Sequence, residues 1–574
     1  MNNNEIAKKL TEVARLLEIT NQEKYKFQII AYENATHSIS HATKELEKIY
    51  REEGKKGLDK IPGIGPAIAG HIIELIENGK IKKYEKLKQK TPVGVLEFMD
   101  VPGIGPKTAQ RIQKELGSKT LTQLKKDITG EKVQKIFGQK ERENIVRGIG
   151  IHGRQEKRML LSKAEAIFND IKKDLEKCPG IKKIDPGGSL RRRQETVGDI
   201  DISTAAQNPQ EVVDCFSKIS SVRRVLAKGE NRIRVIHENG QEVDLMVLSP
   251  NQYGSLLQQG TGDKNHSVHL RKIALEMGYS LSEYGIKMTK GGTLRKFANE
   301  EDFYKFLKMD CPPPELRTDQ GEIELAQKYQ LPKLVELKEV KGDFHIHTTY
   351  SDGEETIEEM TKAARDMGYE FIGISDHTAG LGVTKGLDEE KFKKQWREID
   401  MLQKKYKNIK ILKGAEINLK ADGSLDIDEK ILKNLDFGIA SIHASFFQTK
   451  AMATKRILGA MENPKVNIIG HPTGRMFGMR EEIEIDWEPV FKKASQTKTA
   501  LEINASPSRL DLKDVRVREA KKIGIKFAIN TDAHQTRQLD LVRYGIDVAR
   551  RGWATKEDIL NTWPIEKILN WFKS

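Results

Sequence analysis

The apolar residues Ile6, Leu10, Val13, Leu16 and Leu17 recur every three or four positions, which predicts an amphipathic helix, and residues 27–39 predict another. A further helical pattern covers residues 157–177. Over residues 181–249 the spacing changes to that of strands, clearest in the alternation of EVDLMVL around Asp244. Beyond Val340 the chain alternates helical stretches with the apolar runs FHIHTTY, YEFIGISDH, IKILKGAEINL, LDFGIASIH, VNIIGHP, TALEINA and IKFAINTDAH. Each run ends in a polar or ionisable group. The repeated strand-helix order predicts a closed or nearly closed parallel barrel with its site at the C-terminal ends of the strands.

Pro312, Pro313 and Pro314 break helix and strand alike, and the segment from there to Val340, with the short helical pattern GEIELAQKY, reads as an exposed connection. A chain of 574 residues is expected to divide into several domains. Of its formal charge of +14, +11 falls on the first 340 residues and +3 on the rest, which favours a polyanionic partner for the N-terminal part. Lysine-rich helical surfaces of an ordinary kind would give the same balance. Cys178, Cys215 and Cys311 are far apart with no paired spacing, which fits a reducing compartment and excludes a thiolate zinc site. No apolar run approaches membrane-spanning length and MNNNEIAKKL lacks a hydrophobic signal segment, so a cytoplasmic protein is expected.

The phrase LDKIPGIGPAIAGHIIELIENG, residues 58–79, recurs as FMDVPGIGPKTAQRIQKELG, residues 98–117. Proline ends one helical pattern, the glycines make a tight hairpin, and the amides opening the next helix can hold a phosphate. The repetition marks a pair of helix-hairpin-helix elements, which position a duplex without reading its bases. Gly63, Gly65, Gly103, Gly105 and Lys107 are the candidate DNA contacts; a structural turn between packed helices is the alternative. A degenerate third copy covers residues 136–149.

In GGSLRRRQETVGDID, residues 187–201, two carboxylates follow a glycine-serine turn and three arginines. Asp199 and Asp201 face the same way in an extended segment, so they can grip one divalent ion or two close together. Asp244 supplies a third acid from another strand. Three acids on adjacent strands, beside arginine and backbone amides, suit two-metal phosphoryl transfer. Chance D-x-D pairs are common in charged proteins; the turn and the arginines set this one apart.

Six of the 13 histidines stand at the ends of the C-terminal runs: His345, His347, His377, His443, His471 and His534. Asp352, Glu416 and Asp532 join them, and Asp376 is a candidate supporting acid. His345 and His347 share a strand face, a spacing suited to one metal. Any one of these histidines alone is more often structural. Nine nitrogen and oxygen donors together argue for two or three ions of manganese, zinc or iron, with a bridging hydroxide able to attack a phosphodiester. Arg475 and Arg509, just past strands, are candidates to hold the scissile phosphate, and Tyr350 to stack on a terminal base; a surface role for Arg475 is the alternative.

The carboxylate motif resembles the nucleotidyltransferase signature of the X-family DNA polymerases. The series HxH, SDG, SDH, GAE, SIH, GHP and TDAH resembles a polymerase and histidinol phosphatase (PHP) domain, and the combined order is similar to bacterial and archaeal X-family polymerases over nearly the whole chain. The resemblance implies a multidomain fold: a helical helix-hairpin-helix region, an alpha+beta polymerase-beta-like nucleotidyltransferase palm and thumb, and a C-terminal distorted (beta/alpha)7 PHP barrel. The divisions expected are an N-terminal helical domain over 1–90, a fingers-like DNA-binding subdomain over 91–155, the palm over 156–250, the thumb over 251–318, a linker over 319–340 and the PHP domain over 341–574.

The resemblance further implies that Asp199, Asp201 and Asp244 carry Mg2+. Gly188, Ser189, Arg192 and Gly198 would hold the phosphates of the incoming nucleotide, with Gln259, Gly260, Thr261 and Gly262 completing its pocket. The nine PHP donors would hold two or three Mn2+ or Zn2+ ions. The implied function is a DNA-directed DNA polymerase that fills short gaps in repair, including base excision repair, with a 3'-5' exonuclease and, in some members, abasic-site endonuclease or 3'-phosphatase activity. Its implied partners are gapped or primed double-stranded DNA and deoxynucleoside triphosphates, for a monomer near the nucleoid.

The chain departs from the family pattern in three places. Arg193 stands where glycine usually follows the paired arginines, and is expected to face solvent, with added phosphate contacts as the alternative. Gln259 and Gly260 stand where an aromatic residue usually blocks the ribose hydroxyl, so sugar discrimination is weak or rests on backbone. His71 and Ala67 stand where lyase-active members carry basic residues, so a lyase is not expected. Two rival readings are a PHP nuclease using a weakened polymerase half as its DNA platform, and a non-catalytic repair scaffold.

Overall fold

The computed structural model describes residues 3–40, 46–61, 63–92, 94–101, 104–128, 130–139, 141–143, 145–146, 148–149, 158–238, 240–380, 386–446 and 448–573. The chain forms two compact units, Met1–Lys157 and Arg158–Ser574.

The first unit is helical. Ile6, Leu10, Val13, Leu16 and Leu17 are buried together along Asn3–Asn21, which packs on Lys26–Ser40 as the apolar stripe requires. The two glycine hairpins lead into α1 (Pro66–Asn78) and α2 (Pro106–Arg111), each capped by a glycine with proline in the first turn. Gly63 takes a left-handed φ of 75°, which only glycine adopts without strain. Gly103 lies outside the described residues.

The second unit begins with α3 (Leu161–Leu175), which packs on a five-stranded sheet of β1 (Ile181–Pro186), β2 (Ile200–Ala206), β3 (Val222–Lys228), β4 (Arg232–His237) and β5 (Glu242–Leu248). The spatial order is β1-β2-β5-β4-β3, and β2 and β5 are parallel neighbours. Cys178 and Cys215 are joined in a disulfide with their Cα atoms 5.9 Å apart, which corrects the expectation of three unpaired thiols. Thirty-seven residues separate them in sequence, and only the packing of their two segments beside this sheet brings them together. The thumb opens with α4 (Tyr253–Thr261).

The connection over 319–340 is exposed only in part: Tyr329 and Leu337 face solvent, but other residues are buried. Glu322, Ile323 and Ala326 are buried in the thumb, and Val335 is buried with its amide bonded to the carbonyl of Ala554. Its apolar side chains find cores on both sides, so the prolines end secondary structure without ending contact.

The barrel strands are β6 (Gly342–Ile346), β7 (Phe371–Ile374), β8 (Lys410–Lys413), β9 (Glu416–Asn418), β10 (Ile439–Ser441), β11 (Ile468–Gly470), β12 (Ala500–Asn504) and β13 (Phe527–Asn530). They form two parallel sheets, β6-β7-β8 and β9-β10-β11-β12-β13. The run IKILKGAEINL supplies both β8 and β9: it bends at Gly414, where a Cβ would lie 2.2 Å from the Phe437 ring, and passes from one sheet to the other. Single bridges, His377 to Glu416 at the start of β9 and Ile346 at the end of β6 to Ala533 just past β13, join the two sheets. The seven runs therefore make a distorted, bridge-closed barrel, with α5 (Val542–Arg551) packed behind β12 and β13. Among the described residues no helix is long and apolar enough to cross a membrane.

Candidate nucleotidyltransferase and metal centres

Parallel pairing of β2 with β5 puts Asp201 directly opposite Asp244. Asp199 is exposed just before β2, and burial of Asp201, with Asp199 and then Asp244 nearby, raises the Asp201 carboxyl to about 6. Three acids that disfavour one another's charge are the chemistry of a divalent-cation site. Asp244 is held ionised by forked contacts from β4: Arg232 Nε and Nη2 donate to its two oxygens at 2.8 and 2.6 Å, and Arg234 Nη2 donates at 2.8 Å. Among the described residues these three acids are not drawn into one tight donor group.

The turn Gly188–Arg191 lies against Asp201. A Cβ on Gly188, whose φ is 51°, would meet Asp201 Oδ2 at 2.3 Å, and one on Gly187 would meet the carbonyl oxygen of Gly260 at 3.1 Å. Gly260 and Thr261, at the end of α4, thus border the same turn as the carboxylates. Arg192 Nη1 donates to the Thr261 carbonyl at 2.7 Å, while its buried Nε has no hydrogen-bond partner among the described residues, as suits a group that receives an anion. Arg191 forks onto Glu300, which Arg317 also holds. Burial opposes the Glu300 charge, but Arg317 and Arg191 outweigh it and hold the carboxyl at about 2. Ser189 lies in the turn, and Gly198, Gln259 and Gly262 are half-buried.

Arg193 does not face solvent. Its φ is 54°, which explains why glycine suits this position: a left-handed residue follows the short helical turn, at a cost of roughly 1–2 kcal/mol for other residues. Its guanidinium bonds Glu165 at 2.7 Å and Asp547 of the barrel at 2.8 Å.

In the barrel, all nine donors converge. His347, Asp352, His377 and His534 offer ligand atoms within 4.8 Å of one another, as do His345, His347 and Asp532, and His377, Glu416 and His443. His471 Nε2 lies 3.0 Å from Glu416 Oε1. His345 Nε2, both ring nitrogens of His347, and Nδ1 of His377, His443 and His471 are buried without a hydrogen-bond partner among the described residues, a deficit that metal ligation removes. Burial opposes the Glu416 charge, yet His443, His345 and His377 keep its carboxyl well below the usual range. Burial lowers His347 to about 4, assisted by His534 and His377, so the ring is neutral and able to ligate. His471 and Asp532 adopt positive φ of 23° and 56°, strain of the kind that a bound ion compensates.

Supporting groups absent from the sequence reading now appear. Glu502, fully buried on β12, lies 2.7 Å from His345 Nδ1 and accepts the amides of His471 and Asn530. Asp343 accepts from the His345 amide at 2.8 Å and from the Thr531 hydroxyl at 2.6 Å. The signal for Glu502 was an acid inside an apolar run, and for Asp343 an acid immediately before one. Asp376 ties down the turn before Asp352, accepting from the hydroxyls of Thr348 and Ser351 and from Gln395.

Arg509 Nε lies 3.6 Å from Asp532 and its buried Nη1 has no hydrogen-bond partner among the described residues, which places a cation at the cluster. Arg475 does neither thing expected of it: it is buried, its Nε donates to the Arg509 carbonyl at 2.7 Å, and its Nη2 pairs with Glu195 of the palm at 2.5 Å. Though just past β11, its side chain turns back to the palm, where the carboxylate offsets the cost of burying it. Arg475→Ala would leave Glu195 with only the longer contact to Arg551 at 3.6 Å and is expected to destabilise the second unit by about 3–5 kcal/mol, read by denaturant unfolding. The Tyr350 hydroxyl donates to Glu398 at 2.7 Å, which fixes its ring beside helix Glu389–Lys405.

In the first unit Gly65 and Gly105 open onto free space at their helix starts, and Lys107 is exposed beside the second. His71 Nδ1 lies 2.7 Å from the Tyr32 hydroxyl, and burial lowers its pKa.

These features are those of a nucleotidyltransferase joined to a barrel whose donor groups could hold metal ions. Family models match as DNA polymerase beta thumb over residues 256–318, PHP domain over 343–506, helix-hairpin-helix domain over 1–81 and SAM-like helix-hairpin-helix tandem over 55–118. The protein named DNA polymerase/3'-5' exonuclease PolX of Bacillus subtilis (strain 168) is 34% identical over 572 residues, covering 99% of each chain. A probable phosphatase of Thermoanaerobacter sp. (strain X514) is 31% identical over 244 residues, 40% of this chain and 94% of its own. A probable phosphatase of Caldicellulosiruptor bescii is 31% identical over 200 residues, 33% of this chain and 78% of its own. The chain belongs to the X-family DNA polymerases that carry a C-terminal PHP domain.

Proposed function

We propose that this enzyme is a DNA polymerase that fills short gaps during repair and a 3'-5' exonuclease that trims the primer end, each at its own metal centre. The observation that carries the reading is the pairing of two complete acid-and-base sets in one chain: Asp201 opposite Asp244 beside an arginine-lined turn, and nine converging donors at the barrel mouth. Mg2+ at Asp199, Asp201 and Asp244 would supply charge neutralisation and acidify the primer hydroxyl. Gly188 and Ser189 offer the turn's amides and Arg192 its free Nε to the triphosphate, while Arg232 and Arg234 keep Asp244 ionised.

In the barrel, two or three Mn2+ or Zn2+ ions at the nine donors would supply an activated water. Glu502 fixes the His345 ring by accepting at Nδ1, leaving Nε2 for ligation, and Arg509 is placed to hold the scissile phosphate. Removal of a 3' phosphate or cleavage at an abasic site uses the same chemistry, in keeping with the likeness to phosphatases. Gly63, Gly65, Gly105 and Lys107 would track the duplex backbone. The protein acts as a cytoplasmic monomer near the nucleoid, without lyase activity because His71 replaces the nucleophilic amine.

A labelled primer on a duplex with a one- to five-nucleotide gap tests the reading. Products longer and shorter than the primer are expected with Mg2+ and Mn2+; shortening without extension overturns the polymerase assignment and leaves the nuclease. Binding without turnover leaves a scaffold. Stripping metal with a chelator is expected to lower the melting temperature and manganese to restore it, since about 2.7 kcal/mol accompanies each site held at a hundredfold its Kd.

A further inference from the structure

The nucleotide turn is gripped from two sides. Toward the thumb, Arg191 reaches Glu300 and Arg192 reaches the Thr261 carbonyl. Toward the barrel, Arg193 Nε donates to Asp547 at 2.8 Å, and Nη1 donates to Glu165 at 2.7 Å. The Arg193 carbonyl accepts from Arg551, and Glu195 pairs with Arg475 at 2.5 Å and lies 3.6 Å from Arg551. Three of the four barrel residues involved, Tyr544, Asp547 and Arg551, come from α5, the fourth being Arg475; Tyr544 donates to Glu165 at 2.7 Å and so steadies the second carboxylate as well.

The anchor itself cannot drift. A Cβ on Gly545 of α5 would lie 2.5 Å from Ile529 Cγ2, so the helix is seated directly on β13, whose end leads to Asp532 and His534. Arg193 follows the turn closed by bonds from its own amide to Leu190 and from the Gln194 amide to Ser189, each 3.0 Å. Fixing its guanidinium between two partly buried carboxylates therefore fixes the end of the turn that carries Ser189 and Arg192.

We infer that the PHP barrel positions the polymerase's nucleotide-binding turn, with Asp547 and Glu165 acting through Arg193. Asp547 is a positioning residue: it touches no substrate and acts only by holding Arg193. A residue suited merely to the backbone of the turn would be glycine, which adopts this φ freely; arginine is kept in a strained conformation where its side chain makes the link. The inference rests on the reading that the turn holds the triphosphate.

Single-nucleotide insertion into a one-nucleotide gap with Mg2+, by the full chain, tests it. Arg193→Gly relieves the strain and removes the link; Asp547→Asn keeps the shape and removes the charge. Both are expected to raise the KM for the nucleotide about tenfold with kcat within about threefold, the pattern of lost ground-state positioning. The double variant is expected to be no worse than the poorer single one, because the two residues act as one unit. Arg193→Lys should recover part of the loss, and primer shortening with Mn2+ should be unchanged in all four variants.

A KM within about twofold of wild type in folded Arg193→Gly, or an improvement there, overturns the inference, since a turn residue alone predicts that result. If Arg193→Gly unfolds, the same criterion applies to Asp547→Asn. Arg192→Ala separates the two layers: unchanged KM in that variant overturns both the turn's role and the link, whereas a raised KM there with normal Asp547→Asn overturns the link alone.

Discussion

Asp199→Ala combined with Asp201→Ala is expected to lower primer extension by about a thousandfold or more, since charge stabilisation by the metals is worth several kcal/mol and each 1.4 kcal/mol is a factor of ten. Asp201 opposes Asp244 across β2 and β5, so removing two of three acids leaves Asp244 with its arginines and little hold on a cation. The barrel donors lie on other strands, and primer shortening should continue at the wild-type rate. His345→Ala with His347→Ala should give the converse ladder: extension kept, shortening lost, because those two rings belong to two of the three donor groups. Loss of both activities in either variant would refute two independent sites. A melting curve accompanies each measurement, because removal of like charges from the palm should leave its stability unchanged or raised.

Glu502→Gln is the second large effect. Glu502 is buried, lies 2.7 Å from His345 Nδ1 and accepts the His471 amide. The glutamine keeps the shape but removes the negative charge that makes the His345 ring a stronger donor. A fall of about 10- to 100-fold in manganese affinity, with a matching loss of exonuclease at limiting manganese, is the expected magnitude for an outer-shell partner. High manganese should rescue most of the rate, and polymerase activity should stay as in wild type. Unaltered metal affinity would show that Glu502 is a packing acid only.

The barrel was legible because its pattern is local. Six of the seven apolar runs carry a donor, and parallel strands joined by helices must bring their ends to one face. The bend at Gly414 was less visible: IKILKGAEINL reads as one strand, and only the Phe437 ring against Gly414 shows why it serves two sheets. Glu502 escaped notice because an acid inside TALEINA has no neighbour in sequence to reveal its partner, which comes from β6, 157 residues away.

The arginines divide along the same line. Nothing local separates Arg191, Arg192 and Arg193, and Arg193 read as a solvent residue. In the structure the three side chains reach the thumb, the end of α4 and the barrel respectively. Arg475 similarly looked placed for a phosphate because its backbone is at a strand end, but its long side chain reaches Glu195, 280 residues back in the chain. The disulfide of Cys178 and Cys215 and the burial of Ile323, Ala326 and Val335 in the connection over 319–340 were hidden for the same reason: each depends on which surfaces meet.

What the sequence determined by itself was whatever repeats at the period of a helix or strand: the tandem hairpins, the seven barrel runs, the same-face carboxylates and the donors at strand ends. The tertiary structure alone decided which charges are paired across domains, because a long side chain's partner is chosen by proximity after folding, and burial then makes that choice energetically binding.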